Sequence, residues 1–189
     1  MDLTTIIAIA LILVAALYAV LIYNNLVRLK HNVAKTWSNI DVSLKQRHEE
    51  LPKLVEVCKQ YMQYEQETLE RVVRARGAVF DARGRGDLKD LGAAETELRA
   101  SLGRLFALAE NYPDLKANDS FNHLSKRVSQ LEETIADRRE LYNDGVNLNN
   151  VRVEQFPDVV VARLLGFQPF DLLEFSEVRS DVDVAKLFA

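Results

Sequence analysis

Hydrophobic residues along this chain fall into two regimes. From Leu3 to Val27 the run LTTIIAIALILVAALYAVLIYNNLV has no charged side chain and is apolar on nearly every face. Beyond Arg28 the apolar positions thin to a stripe, Leu29, Val33, Trp37, Ile40, Leu44, Leu51, Val55, Cys58, Met62, Leu69, Val72 and Phe80, mostly three, four or seven residues apart. The first regime predicts a membrane-spanning helix. At about 1.5 Å per residue it is roughly 37 Å long, against a hydrocarbon core of about 30 Å. The second predicts an amphipathic helix with near-heptad spacing, as in helical bundles and coiled coils. No Gly or Pro stands between residues 3 and 51, so the span is expected to run on into the domain. Pro52 cannot donate to the carbonyl of His48 and predicts a kink or joint. The element is expected to reach Arg76 and to end at Gly77 and the Gly84-Arg85-Gly86 turn.

A second helix reads from Asp87, as N-cap, through Leu91, Leu98, Leu102, Leu105 and Leu108 to Asn111, with Pro113 closing it. A third, capped by Asn118 or Asp119, carries the stripe Phe121, Leu124, Val128, Leu131, Ile135, Tyr142 and Leu148, and ends at Phe156-Pro157. A short fourth begins at Pro157, continues through Val159, Val160, Ala162 and Leu165, and stops at Gly166. No stretch alternates with period two long enough for a strand. The fold class is therefore all-α: an N-terminal transmembrane helix running into an antiparallel up-and-down bundle. The expected division is an anchor at 1–27, a bundle at 28–166 and an apolar, then acidic, segment at 167–189. In up-and-down order the third of three long helices points away from the bilayer, which puts Phe156 far from lipid.

Composition sharpens this reading. About 160 residues follow the span, enough for one domain with a core. Seven Gly and four Pro are too few for a turn-rich all-β design, and one cysteine, Cys58, excludes an intrachain disulfide and agrees with a reducing compartment. A cleaved signal peptide fits poorly: Met-Asp is not a basic n-region, and the apolar run exceeds the usual h-region of about 7–15 residues. Arg28, Lys30 and Lys35 flank the span on one side only, so the positive-inside rule places the bundle in the cytoplasm with a single pass through the membrane.

Several ordered landmarks carry a family resemblance. Tyr23-Asn24-x-Leu26-Val27, Trp37-Ser38-x-Ile40-Asp41-Val42-x-Leu44-Lys45-x-Arg47 and Leu51-Pro52-x-Leu54-Val55 are followed by Glu110-x-Tyr112-Pro113-Asp114-Leu115-Lys116-Ala117, Tyr142-Asn143, Phe156-Pro157 and Leu165-Gly166-Phe167. Together they resemble the LemA family over about residues 20–170. The resemblance implies an N-terminal membrane helix, a membrane-proximal helical bundle and a bacterial inner-membrane setting. It implies no agreed activity, and the ending from Ser180 is looser than the family's.

No catalytic, cofactor-binding or metal-binding residue emerges. His48-Glu49-Glu50-Leu51-Pro52 opens like a zinc-protease helix but has Pro52 where the second histidine belongs, and His31 and His123 lack partners at ligand spacing. Cys58 lies on the apolar stripe, as a small core residue would. The Gly84-Arg85-Gly86 run joins two helices and lacks the glycines and lysine of a phosphate loop. The basic cluster Arg71, Arg74, Arg76, Arg83, Arg85 and Lys89 has only Phe80 among it, which speaks against nucleic-acid binding. Trp37, Asp41, Lys45 and Arg47 read first as packing and helix-surface residues, Asp41 and Lys45 being at the favourable i,i+4 spacing. By contrast, VVVARLLGFQPFDLLEFSEV, residues 159–178, holds more apolar surface than one short helix can hide. An intersubunit seam is expected at Leu164, Leu165, Phe167, Phe170, Leu172, Leu173 and Phe175. The expected function is a non-enzymatic membrane scaffold without cofactor, whose partners are a second copy of itself, membrane lipid and, in an alternative adaptor role, a membrane protease or other quality-control protein.

Overall fold

The computed structural model describes residues 2–175, which form six helices. In order they are α1 (Leu3–Tyr61), α2 (Gln66–Arg85), α3 (Leu88–Ala109), α4 (Pro113–Lys116), α5 (Asp119–Glu154) and α6 (Asp158–Leu165). No strand occurs among the described residues. The all-α expectation holds, with a first helix long and apolar enough to cross a membrane. Pro52 is exposed and lies inside α1, which is assigned as helix on both sides of it.

The chain packs as two units. Among the described residues, the first combines 2–42 with 136–172, and the second 43–135 with 173–175. In the first unit α1 and α5 run antiparallel, because partners climb in one as they fall in the other. Ile22 and Leu26 share a core cluster with Val153 and Ala162, Trp37 meets the ring of Tyr142 at 5.7 Å, and Arg138 donates to the carbonyl of Asn39 at 2.6 Å. Gly145 sits against Asn32, Val33 and Thr36 at ordinary van der Waals distance from where a Cβ would be.

In the second unit the same two helices pair through Arg47 with Glu132 and Tyr61 with Asn118. Leu51, Leu54, Val72, Leu98, Leu105 and Val128 fill the core. The α2–α3 turn is built from sequence chemistry: Gly86 takes the left-handed conformation at φ 71°, and the Asp87 carboxylate caps α3 by accepting from the amides of Lys89 and Asp90, both at 3.0 Å.

Two expectations are corrected. The first helical element ends at Tyr61, not Arg76. Buried Met62 donates its amide to Cys58, Glu65 donates to Met62, and the chain turns while Tyr64 projects into solvent. Met62 and Leu69 are seven apart and both buried, so the stripe passes through the turn without a break, while the polar residues between them leave it untethered. That turn adds a helix. With four long helices in place of three, α5 returns toward the start of α1, and α6 packs beside Ile22 and Leu26 instead of lying far from the apolar run. Phe80 and Leu148, assigned to apolar stripes from spacing, are both exposed.

Beyond α6 the described chain is a strap without helix or strand, and its residues make contacts within each unit in turn. In the first, the Asn150 amide makes paired bonds with the Phe170 backbone, accepting from its N–H and donating to its carbonyl, each 2.9 Å, and the Tyr142 hydroxyl donates to the Asp171 carbonyl at 3.0 Å. In the second, Leu173 is fully buried and the Glu174 carbonyl rests on Gly92 of α3, 1.9 Å from where a Cβ would lie. Helix-interior glycine normally costs about 1 kcal/mol relative to alanine; here it makes room for the strap. Gly92→Ala should therefore push the strap off α3 and cost about 1–3 kcal/mol despite the better helix propensity. Thermal unfolding with hydrogen exchange over residues 171–175 checks this: exchange should quicken there.

Candidate functional site

The strongest electrostatic feature is in the second unit. Arg47, 1% exposed, projects from α1 between α3 and α5, and its two terminal nitrogens donate to Glu95 and Glu132. Burial opposes the charge on Arg47, yet the two carboxylates outweigh it and raise the guanidinium above its ordinary value. Burial also pushes the Glu95 carboxyl up, against the pull of Arg47. Arg99, half-exposed on α3, reaches the other oxygen of Glu132 at 3.5 Å and lies 5.9 Å over the ring of Phe175. The arrangement cross-links three helices and the strap. Both terminal nitrogens of Arg47 are taken up by the carboxylates, while its buried Nε has no hydrogen-bond partner.

Next to it, Arg76 fixes His48 by donating from Nε to the His48 carbonyl at 2.9 Å and from a terminal nitrogen to ring Nε2 at 2.7 Å. An arginine can only donate, so Nε2 accepts and the imidazole is neutral. Burial first, then Arg76, Arg83 and Arg47, hold His48 below the usual histidine range. Phe80 stacks on it at 4.7 Å. His48 is thus a bundle-edge residue with structural partners. Burial raises the Cys58 thiol to about 11, which keeps it protonated near neutral pH. Among the described residues no three His, Cys, Asp or Glu side chains converge as a metal site.

Much of the basic cluster also has partners: Arg71 pairs with Glu67 at 3.4 Å, Arg85 with Asp90 at 3.0 Å, and Arg76 with His48. At the α1–α2 turn an open groove of about 860 Å³ is lined by Met62, Tyr64, Leu69 and Val73, with Lys59, Glu70 and Arg74 at its rim.

Sequence reasoning grouped Leu164, Leu165, Phe167, Phe170, Leu172, Leu173 and Phe175 as one seam, and the structure distributes them differently. Leu173 is core in the second unit and leaves the set. Phe167 packs on the Ile22–Leu26 cluster and meets the ring of Tyr23 edge-on at 6.0 Å. Phe170 and Phe175 are partly buried, Leu172 is 37% exposed, and Leu164 and Leu165 are open at 78% and 56%. The flanking Arg28, Lys30 and Lys35 are exposed on α1. A second open apolar row went unnoticed: Leu141, Leu148 and Val151 on α5, each more than half exposed. Their spacing of seven and three is the signal the sequence carries, obscured because Leu148 also continues the spacing of the buried stripe.

A family model for the LemA family matches residues 36–185. The protein LemA of Metamycoplasma hominis is 26% identical over 167 residues, covering 87% of this chain and 74% of its own length. Magnetosome protein MamQ 2 of Paramagnetospirillum magneticum and magnetosome protein MamQ of Magnetospirillum gryphiswaldense are each 32% identical over 87 residues, 43% of this chain. The match spans 32% of the length of those magnetosome proteins.

Two outcomes follow from the charge geometry. Arg47→Met should leave Glu95 buried without its counter-charge and cost about 3–5 kcal/mol, whereas adding Glu95→Gln and Glu132→Gln should recover much of the loss. Arg47→Lys should fail to recover it, because one ammonium lacks the fork that spans two carboxylates. Thermal unfolding of the full chain in nanodiscs measures both. For His48, the unfolded chain binds more protons than the folded one between the depressed folded value and about 6.5, so its contribution is present above that pH and is lost as pH falls through the window. His48→Gln should flatten the acid side of the stability profile between about pH 6.5 and the folded value.

Proposed function

The chain belongs to the LemA family, and from that premise we propose that it is a non-enzymatic, membrane-anchored scaffold whose copies associate laterally in the inner membrane, with the bundle on the cytoplasmic side. The carrying observation is the open row Leu141, Leu148 and Val151, on the stretch of α5 that pairs with α1 just beyond the apolar run. Anchoring confines copies to a plane, where helix faces that rise from the membrane meet side to side. A row spaced by seven and three residues fits helix-to-helix packing between such faces. A role outside catalysis is supported by the buried polar groups, since Arg47, Glu95 and Glu132 are spent on one another. The one-sided basic flank Arg28, Lys30 and Lys35 supports the cytoplasmic placement.

An adaptor role, holding a membrane protease or another quality-control protein, is the second reading. The groove at the α1–α2 turn favours it, being apolar at its base with charges of both signs at its rim. The two readings differ in the composition of the purified complex: a scaffold is a homo-oligomer, and an adaptor brings a second chain in fixed proportion.

Leu141→Asp with Leu148→Asp should shift the mass distribution in native nanodiscs toward the monomer while circular dichroism stays unchanged, because both side chains are exposed in the single chain. Removing two apolar contacts of roughly 1.5–3 kcal/mol each is enough to dissolve most associations of moderate strength. Retention of the wild-type oligomer would remove α5 as the seam.

A further inference from the structure

The open apolar side chains beside the span lie on one small surface. Phe156 is 82% exposed, and Val160 and Leu164 follow it at intervals of four, 50% and 78% exposed, with Leu165 beside them. The opposite face of α6 is satisfied. Ala162 is fully buried against Ile22, Leu26 and Val153, Val161 packs on the same cluster, and buried Asp158 accepts from Arg152 at 2.7 Å. The helix therefore presents one face to its own unit and leaves an apolar face with nothing of its own chain on it.

The level of α6 along α1 identifies what covers that face. Of the Leu3–Val27 run, the first twenty residues, Leu3–Ile22, measure about 29 Å, close to a hydrocarbon core of about 30 Å, so a span that enters at Leu3 meets the headgroups near Ile22 and Tyr23. Tyr23 is the aromatic expected at such a boundary, and Phe167 lies against it at 6.0 Å. Because α6 packs on Ile22 and Leu26, it sits at the same level. Exposed Arg28, Lys30 and Arg163 surround this level with positive charge. Apolar side chains at the headgroup boundary, backed by basic residues, are the pattern of a helix lying in the membrane surface. A lone exposed leucine needs no explanation; four neighbouring large apolar side chains at this depth do.

We propose that α6, with Phe156 leading into it, is a second membrane contact: a foot seated in the bilayer interface beside the span, with Phe156, Val160, Leu164 and Leu165 among the upper acyl chains and Arg163 near anionic headgroups. This goes beyond lateral association and assigns Leu164 and Leu165 to lipid, not to a second copy. Two contacts fix the tilt of α1 and its rotation about its own axis, which a single span leaves free.

The test uses the full chain with Cys58→Ser and one environment-sensitive fluorophore on a cysteine at residue 164, or at 160 as a second site, in nanodiscs of phosphatidylcholine and phosphatidylglycerol holding one protein copy each. A label at residue 123, on α5 in the second unit, is the reference. Lipids carrying a nitroxide near the headgroup end of the acyl chain should quench residues 160 and 164 several-fold more than residue 123, with a blue-shifted emission at both. Emission from 160 and 164 that matches the water-exposed reference overturns the proposal. So does a blue shift that appears only in discs with several copies, which would mark the face as a contact between chains. Loss of the oligomer in the α5 variants leaves the one-copy result unchanged, so the two proposals fail independently.

Discussion

A guanidinium with 1% of its side chain exposed keeps its charge only if carboxylates stand within hydrogen-bonding reach, and Arg47 finds them on two other helices. The leucine stripes that surround it are close to degenerate. Leu91, Leu98, Leu102 and Leu105 repeat so regularly that sliding α3 by a turn or two would still bury apolar surface. A slide of one turn, about 5.4 Å, would instead strand a charge in the core. The ion cluster thus selects one register from several that apolar packing alone would tolerate. Through Arg99 the same cluster reaches Phe175, so the strap is tied to the registered core.

The strap explains why an apolar excess in a sequence is weak evidence for an interface. Residues 167–175 look like surplus because they are not periodic, and they are not periodic because they lie outside any helix. Their partners are an asparagine amide, a tyrosine hydroxyl and the bare backbone of a glycine, none of which announces itself as a core element. The apolar positions still open lie elsewhere, on α5 and α6. Those on α6 share the level of Ile22, and those on α5 precede Val153 along a helix that runs toward that level.

Helix type and most of the core were legible in the sequence because heptad-like stripes report burial directly. Leu29 through Met62 and Phe121 through Tyr142 fall where spacing puts them, Trp37 and the turn residues included. The candidate site was half legible. Arg47 fills the seven-residue gap between Leu44 and Leu51, and Glu95 the gap between Leu91 and Leu98, so two charges at core positions were visible in outline; Glu132, one residue off its stripe, was not. In α5 the buried sequence continues through Val146, Asn149 and Val153, and the polar Asn149 hides it, which let Leu148 pass for core. The turn at Met62–Glu65 lacked Gly and Pro and kept the stripe in phase, so nothing local marked it. That one turn reversed the direction of every later helix.

Pairing the first helix with the last ones has a consequence for synthesis. Ile22 and Leu26 leave the ribosome about 140 residues before Ala162, and Arg47 about 85 residues before Glu132. At roughly 5–20 residues per second the nascent chain spends about 4–28 s with its first helix made and the α5 and α6 partners of that helix not yet translated. Of the two carboxylates that Arg47 meets, Glu95 follows it by about 48 residues, so α2 and α3 cover part of the stripe before α5 is made. Until α5 brings Glu132, the ion cluster is half-built, with Arg47 holding one carboxylate in place of two.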